Sequence, residues 1–372
     1  MKEITGKKIL IGVPPKAHVS LAMDEFKALQ ALGYQCYAVP YGRNNQSVGI
    51  LNKLFSTFVK AGVLVTKLYA VKPAILYLNS RFEKAGSTRD FISVLLVRLF
   101  YWNKVSIVIK SHGSEAHKMD KESWFIRKLV LPYLTRAVNG WFFLSAEEKM
   151  LVSGYNPVLA EKIYVLPNII DPSRCRYSNS FDADHGFPPT KFKILFVGRM
   201  VREKGIFDIL NALPEVIQKE DVLFIFVGNG NDLEALKTEA AARGFEKYTR
   251  FMGFIPDAEC DHFYANCQLL VYPTYDTEGF AMALFKSIAV GLPVITTRIR
   301  AAKDHLKEPE NVIWVPEKDP ASIADAINRI QGSEQLRRSI GENNKLLGQK
   351  FSAANVAAAM HSTFESIKNR AL

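Results

Sequence analysis

This 372-residue sequence predicts two doubly wound α/β domains in tandem, each a parallel sheet wrapped by helices. Three observations predict them. Short apolar runs alternate with longer amphipathic stretches, a turn-rich break interrupts the alternation near mid-chain, and the alternation then restarts. Strands that recur between helical stretches pair in parallel, because each crossover helix returns the chain to the same end of the sheet.

Residues 8–13 read as a strand, 18–32 as a helix and 35–39 as a strand; 74–78, 106–111 and 141–144 follow as strands separated by helical stretches. Each strand is rich in Val, Ile, Leu or aromatic residues, which pack well on a buried pleated surface. Residues 171–190 (DPSRCRYSNSFDADHGFPPT) are dense in turn formers. They are expected to link a first domain, residues 1–170, to a second, residues 191–350. Strands restart at 192–197, 222–227, 269–272, 294–296 and 312–315, and helices close the chain at 320–330, 334–347 and 352–369. Two such domains are expected to face a central cleft at the carboxyl ends of their strands, where doubly wound folds bind ligands.

Charge divides unevenly. Residues 1–170 hold 23 Lys and Arg against 11 Asp and Glu, net +12; residues 171–372 hold 25 against 26, net −1. A basic half implies an anionic partner, nucleic acid or an anionic membrane surface. Residues 50–72 favour the membrane, since Lys53, Lys60 and Lys67 recur every seven residues among Leu, Phe and Val. Such a helix can lie at a headgroup interface, or it can be a core helix with a solvated basic face. No apolar run is long enough to span a bilayer, and the start of the chain lacks the pattern of a secretory signal. The four cysteines have no C-x-x-C spacing. A reducing cytoplasm is expected, with no disulfide framework and no metal.

Two loops carry the chemistry. The first, GRMVREKG (198–205), follows a buried strand and offers Arg199 and Lys204. The second carries Glu278, Gly279, Phe280 and Ala281 after the strand 269–272, with a helix expected to begin near Gly279. Unpaired amides at a helix start favour anions, so the pair of loops suggests a diphosphate clamp. Glu278 can alternatively cap that helix, and the basic loop can simply be solvated. The triplet Asp182-Ala183-Asp184 looks like a D-x-D metal motif but has no strand beside it. No G-x-x-x-x-G-K-[ST] loop occurs, which argues against an ATPase.

These loops resemble the donor site of family 4 glycosyltransferases, retaining enzymes of the GT-B fold. The family has E-G-F-G, a second glutamate eight positions on, and A-x-G-x-P-V-I. This chain has Glu278, Gly279, Phe280 and Ala281, then Lys286 in place of the second glutamate, then Ala289, Gly291, Pro293, Val294 and Ile295. The resemblance covers nearly the whole chain. It implies that residues 351–372 form a helix crossing back to the first domain. It implies that Arg199 and Lys204 contact the diphosphate of a nucleotide sugar, with Gly198, Gly228, Gly230 and Phe254 beside the nucleotide. Glu278 would hold the sugar, and the amides of Gly279, Phe280 and Ala281 the phosphate. His112, in SHGSE, would reach the sugar from the first domain, and Lys16, His18 and Glu115 would serve the acceptor. Lys286 has donors only and cannot accept from ribose hydroxyls as a glutamate does; it is expected to approach a phosphate or to pair with an acid.

The function so implied is transfer from a nucleoside diphosphate sugar, a UDP-sugar, to a lipid-linked or membrane-associated glycan. The nucleotide sugar is a co-substrate and no other cofactor is expected. The enzyme would sit at the inner face of the plasma membrane and bind no nucleic acid. A non-catalytic nucleotide-sugar-binding subunit, and an epimerase or soluble-acceptor synthase on the same fold, are the alternatives.

Overall fold

A computed structural model describes residues 6–15, 18–42, 49–102, 104–115, 118, 122–189, 191–219 and 221–370. The chain divides into two units, residues 1–169 with 353–372, and residues 170–352.

The first unit is a six-stranded parallel sheet made by β1 (Lys8–Val13), β2 (Gln35–Pro40), β3 (Ile75–Phe82), β4 (Ser106–Ser114), β5 (Gly140–Phe143) and β6 (Ile163–Val165). Their order across the sheet is β2-β1-β3-β4-β5-β6. Successive strand side chains point to opposite faces, and the two faces bury separate cores. Leu10, Leu76, Leu78, Ile107, Ile109 and Phe143 pack with residues of the helices Ile50–Val71 and Lys84–Tyr101. Ile9, Ile11, Tyr77, Val108 and Phe142 pack with the helix Val19–Ala31 and with the last helix, Ala353–Arg370. That last helix therefore returns to the first unit, as the resemblance implies. It is held by Val356, Met360, Phe364 and Ile367, all at most 2% exposed. Each such side chain contributes about 1.5–3 kcal/mol by burial. Gly140 makes room for it, since a Cβ there would meet Ile367 Cδ1 at 2.3 Å.

The second unit is also a six-stranded parallel sheet, of β7 (Phe192–Val197), β8 (Val222–Val227), β9 (Thr249–Gly253), β10 (Leu269–Tyr272), β11 (Val294–Thr296) and β12 (Ile313–Trp314), in the order β12-β11-β10-β7-β8-β9. Every residue of β8 is buried, as expected for a strand covered on both faces.

Residues 171–190 differ from the expected linker. They belong to the second unit, and a short helix, Phe181–Asp184, forms within them. Phe181 and Phe187 are buried, with the Phe181 ring 5.0 Å from Phe263. Both Asp182 oxygens accept from Lys193 Nζ at 2.7 and 2.8 Å. The acid of the D-x-D triplet thus anchors a fold segment.

The helix Ile50–Val71 buries Ala61, Leu64, Val65, Leu68 and Val71, while Phe55, Phe58, Val59, Val63 and Tyr69 are exposed. Lys60 donates to the Gly42 carbonyl at 2.5 Å, Lys67 is exposed, and the Lys53 side chain lies outside the described residues. Among the described residues no helix is long and apolar enough to cross a membrane.

Candidate active site

In each sheet the chain runs outward from one strand and then resumes on that strand's other side. The loops that diverge at such a point leave a crevice, which is where doubly wound sheets bind ligands. In the second unit this point lies between β7 and β10. The two loops singled out by sequence, 198–205 and 273–281, are the ones that leave these strands.

Backbone bonds knit them together. The Glu203 carbonyl accepts from the amides of Tyr275 and Asp276 at 2.9 and 3.1 Å, and from Thr274 Oγ1 at 3.2 Å. Gly205, at φ +74°, permits the close approach; a Cβ there would lie 2.4 Å from the Pro273 carbonyl oxygen. The loop after β8 joins through Met200 N–H to the Asn229 carbonyl and Arg202 N–H to Asp232 Oδ2. Gly228 and Gly230 pack against the backbone of Gly198 and Met200, where a Cβ would clash at 1.9 and 2.3 Å. These glycines thus first serve loop packing.

The polar cluster follows from that knitting. Lys204, 1% exposed, donates to Glu278 Oε1 and lies 3.0 Å from Asp276 Oδ2. Arg199 meets the same Asp276 oxygen at 2.9 Å, with its side chain 69% exposed. Tyr272 OH donates to Glu278 Oε2 at 2.7 Å. Burial and the Glu278 charge push the Tyr272 phenol well above its ordinary range, so it remains a donor. Burial alone would raise the Asp276 carboxyl, but the Lys204 bond and the charges of Lys204 and Arg199 hold it below the usual value.

The helix expected near Gly279 begins instead at Met282, with Ala281 in extended conformation before it. The Phe280 ring turns inward and stacks on Phe285 at 3.8 Å, which holds the segment 279–281 off the helix. The N-cap residue, Ala281, makes no side-chain cap bond, and the Glu278 oxygens are engaged by Lys204 and Tyr272. Lys286 takes the second of its two expected roles, an ion pair with Asp261 Oδ1 at 2.5 Å. Asp261 is 3% exposed, on the neighbouring helix Asp257–Asn266. Phe254, just beyond β9, is 74% exposed.

In the first unit the corresponding point lies between β1 and β3. His112 lies within the end of β4, its Nε2 2.7 Å from Asn79 Oδ1 on β3. Its ring stacks on His18 at 5.2 Å, and its Nδ1 is buried with no partner among the described residues. Glu115 is half-buried and pairs with Lys118 at 3.0 Å. Lys16 lies outside the described residues. Asn79, Lys110 and Arg81 were not singled out by sequence; Lys110 precedes His112 by two residues on β4, and the pairing of β3 with β4 brings the β3 residues Asn79 and Arg81 to the same end of the sheet.

Burial, then the Lys110 charge and His18, lower the His112 pKa well below that of a free histidine. Burial and Arg81 lower His18. Each ring resists protonation more in the folded chain than in the unfolded one, where it takes a proton below about pH 6.5. Stability should therefore fall as pH drops from 6.5 towards 5, by up to about 1.4 kcal/mol per pH unit for each histidine. Thermal unfolding of the His112→Gln variant should fall less steeply over that window; equal slopes would remove His112 from the account.

Comparison with known proteins agrees with this geometry. Residues 178–347 match the model of the family described as glycosyl transferases group 1. A D-inositol 3-phosphate glycosyltransferase of Corynebacterium jeikeium is 27% identical over 59% of this chain and 55% of its own length. A phosphatidyl-myo-inositol mannosyltransferase of Mycobacterium leprae is 27% identical over 49% and 48%. The chain thus spans about half the length of the curated relatives it matches. The Anabaena HepE structure with UDP and glucose superposes with a TM-score of 0.74, at 16% identity, over 97% of this chain and all of that one. The fold is GT-B, and the match to the group 1 glycosyl transferase model lies within the second unit.

Proposed function

We propose that this chain is a retaining glycosyltransferase. It moves a sugar from a UDP-sugar to a lipid-linked glycan at an anionic membrane surface, in polysaccharide or glycoconjugate assembly on the cytoplasmic side. The cluster of Arg199, Lys204, Asp276 and Glu278 at the β7/β10 divergence carries the reading. Departure of a nucleoside diphosphate leaves charge on phosphate oxygens, and fixed cations at that position stabilise it. In the free protein Asp276 and Glu278 balance these cations. A diphosphate competes with them for Arg199 and Lys204, and frees Glu278 to accept from sugar hydroxyls. The HepE likeness supports a UDP-linked donor. The relative named for phosphatidyl-myo-inositol, and the exposed Phe55 and Phe58, support a lipid-borne acceptor. Lys286, its charge balanced by Asp261, favours a second reading, a nucleotide-sugar-binding subunit without turnover.

The test is nucleoside diphosphate release from a panel of UDP- and GDP-sugars, with and without lipid extract. Release with one donor, stimulated by lipid, is expected. Arg199→Ala should lower it by about 100-fold or more with little change in thermal stability, since its ion pair is exposed. Nucleotide-sugar binding without release would favour the second reading, and unchanged turnover in the variant would remove the clamp.

A further inference from the structure

The first unit holds a cavity of about 360 Å³ that no part of the donor reading uses. Its walls come from the segment Ile126–Ala137 on one side, through Arg127, Lys128 and Leu131, and from residues 152–159 on the other, through Val152, Tyr155 and Leu159. Phe82, at the carboxyl end of β3, is also at its wall. The size is that of a small-molecule site. The lining is mostly apolar, its two charged residues are both cations, and no acid occurs among the described lining residues.

Two further observations bear on what enters. Arg127 and Lys128 lie in a π-helical turn, Ile126–Val130. Such turns widen a helix and recur at functional sites, where they re-aim side chains. Exposed apolar side chains flank the lining residues along the chain: Trp124 is 70% exposed and Val158 64%, with Phe125 and Leu129 about half exposed, and Tyr155, at the wall itself, is also about half exposed. Exposed aromatic and aliphatic side chains around a concave site mark an apolar ligand or surface, and the paired cations add a preference for an anion. A polar sugar or nucleotide would leave the Val152–Leu159 wall unused. The half of the sequence that contains this site, residues 1–170, carries the chain's excess of positive charge.

We infer that this cavity binds an amphiphilic anion, a lipid with a phosphate headgroup, with the apolar chain along Leu131, Val152 and Leu159 and the phosphate at Arg127 and Lys128. The assignment rests on the reading of the acceptor as lipid-borne and gives it a place in the first unit. Two sources share this chemistry, a carrier lipid bearing the acceptor and a bulk phospholipid of the membrane.

Calorimetry on the full chain tests it with dodecyl phosphate below its micelle concentration, against dodecyl maltoside and inorganic phosphate. Dodecyl phosphate should bind at least tenfold more tightly than either. The double variant Arg127→Gln/Lys128→Gln, at exposed positions, should lower its affinity to that of the maltoside. Phosphatidylglycerol vesicles that displace the probe would identify a bulk phospholipid as the occupant; vesicles that leave it bound would identify a single-headed carrier. Equal affinity for phosphate and maltoside probes, inorganic phosphate binding as tightly as its dodecyl ester, or a variant with unchanged affinity would overturn the assignment. UDP binding, measured on the same wild-type sample, reports on the donor domain separately. UDP binding without dodecyl phosphate binding removes the cavity proposal alone, and the reverse removes the donor reading alone.

Discussion

Lys204→Met should lower nucleoside diphosphate release by about 100- to 1,000-fold, the usual cost of removing one fixed donor from a developing anion. Lys204 is 1% exposed and its ammonium contacts both Glu278 and Asp276. The other cation of the cluster, Arg199, has its side chain 69% exposed. The stability cost should be smaller, about 1–3 kcal/mol, because Glu278 and Asp276 are each about a quarter exposed and can recover water. Asp276 adds a pH signature. Its carboxyl is held below the usual value in part by Lys204. That contribution to stability is present above about pH 4 and is lost as pH falls towards the folded-state pKa. The variant should lose part of this acid limb. A Lys204→Met/Glu278→Gln double variant should regain stability without regaining turnover. A single variant that keeps turnover within threefold would mean that the lysine serves only to fix the Glu278 loop.

Much of this architecture is legible in the chain, and what is not has physical causes. The long central strands declare themselves because each is apolar on both faces, β8 entirely so. Strand β6 does not, having three residues, and β9 does not, because at the sheet's edge four of its five residues, Arg250 among them, are only partly buried. The segment 171–190 has the composition of a linker, yet Phe181 and Phe187 stand among its turn formers, and two large rings seldom remain in solvent. They were the available signal. Arg199, Lys204 and Glu278 could be picked out by their loops, but not the pairing of Lys204 with Glu278. That pairing depends on β10 lying beside β7, a strand order that a sequence separation of 74 residues does not reveal. Lys286 shows the same limit: its sequence neighbours do not include Asp261, and only the packing of two helices selects an acid over a phosphate.

Lys110→Met should destabilise the first unit by about 3–5 kcal/mol, the cost of breaking a buried ion pair from one side. Lys110 is fully buried on β4, and its Nζ lies 2.5 Å from Glu25 Oε1 on the first helix, itself 1% exposed. Tyr77 OH donates to the other Glu25 oxygen at 2.8 Å. Without the ammonium, Glu25 keeps only that phenol among these partners, in a core of Ile9, Ile11 and Phe142. The Lys110→Met/Glu25→Gln double variant should recover most of the loss, since an amide accepts the same Tyr77 bond without a charge to compensate. Chemical denaturation of the two singles and the double checks this as a mutant cycle; a single variant within 1 kcal/mol of wild type would contradict it. The double variant also separates packing from electrostatics at the histidines. Lys110 stands two residues before His112 on the same face of β4, and its charge helps to hold that ring neutral. With the charge gone and the fold restored, the His112 pKa should rise, so the loss of stability between pH 6.5 and 5 should shrink. An unchanged pH slope in a restored fold would mean that burial alone keeps the ring neutral and that the lysine is retained for its bond to Glu25.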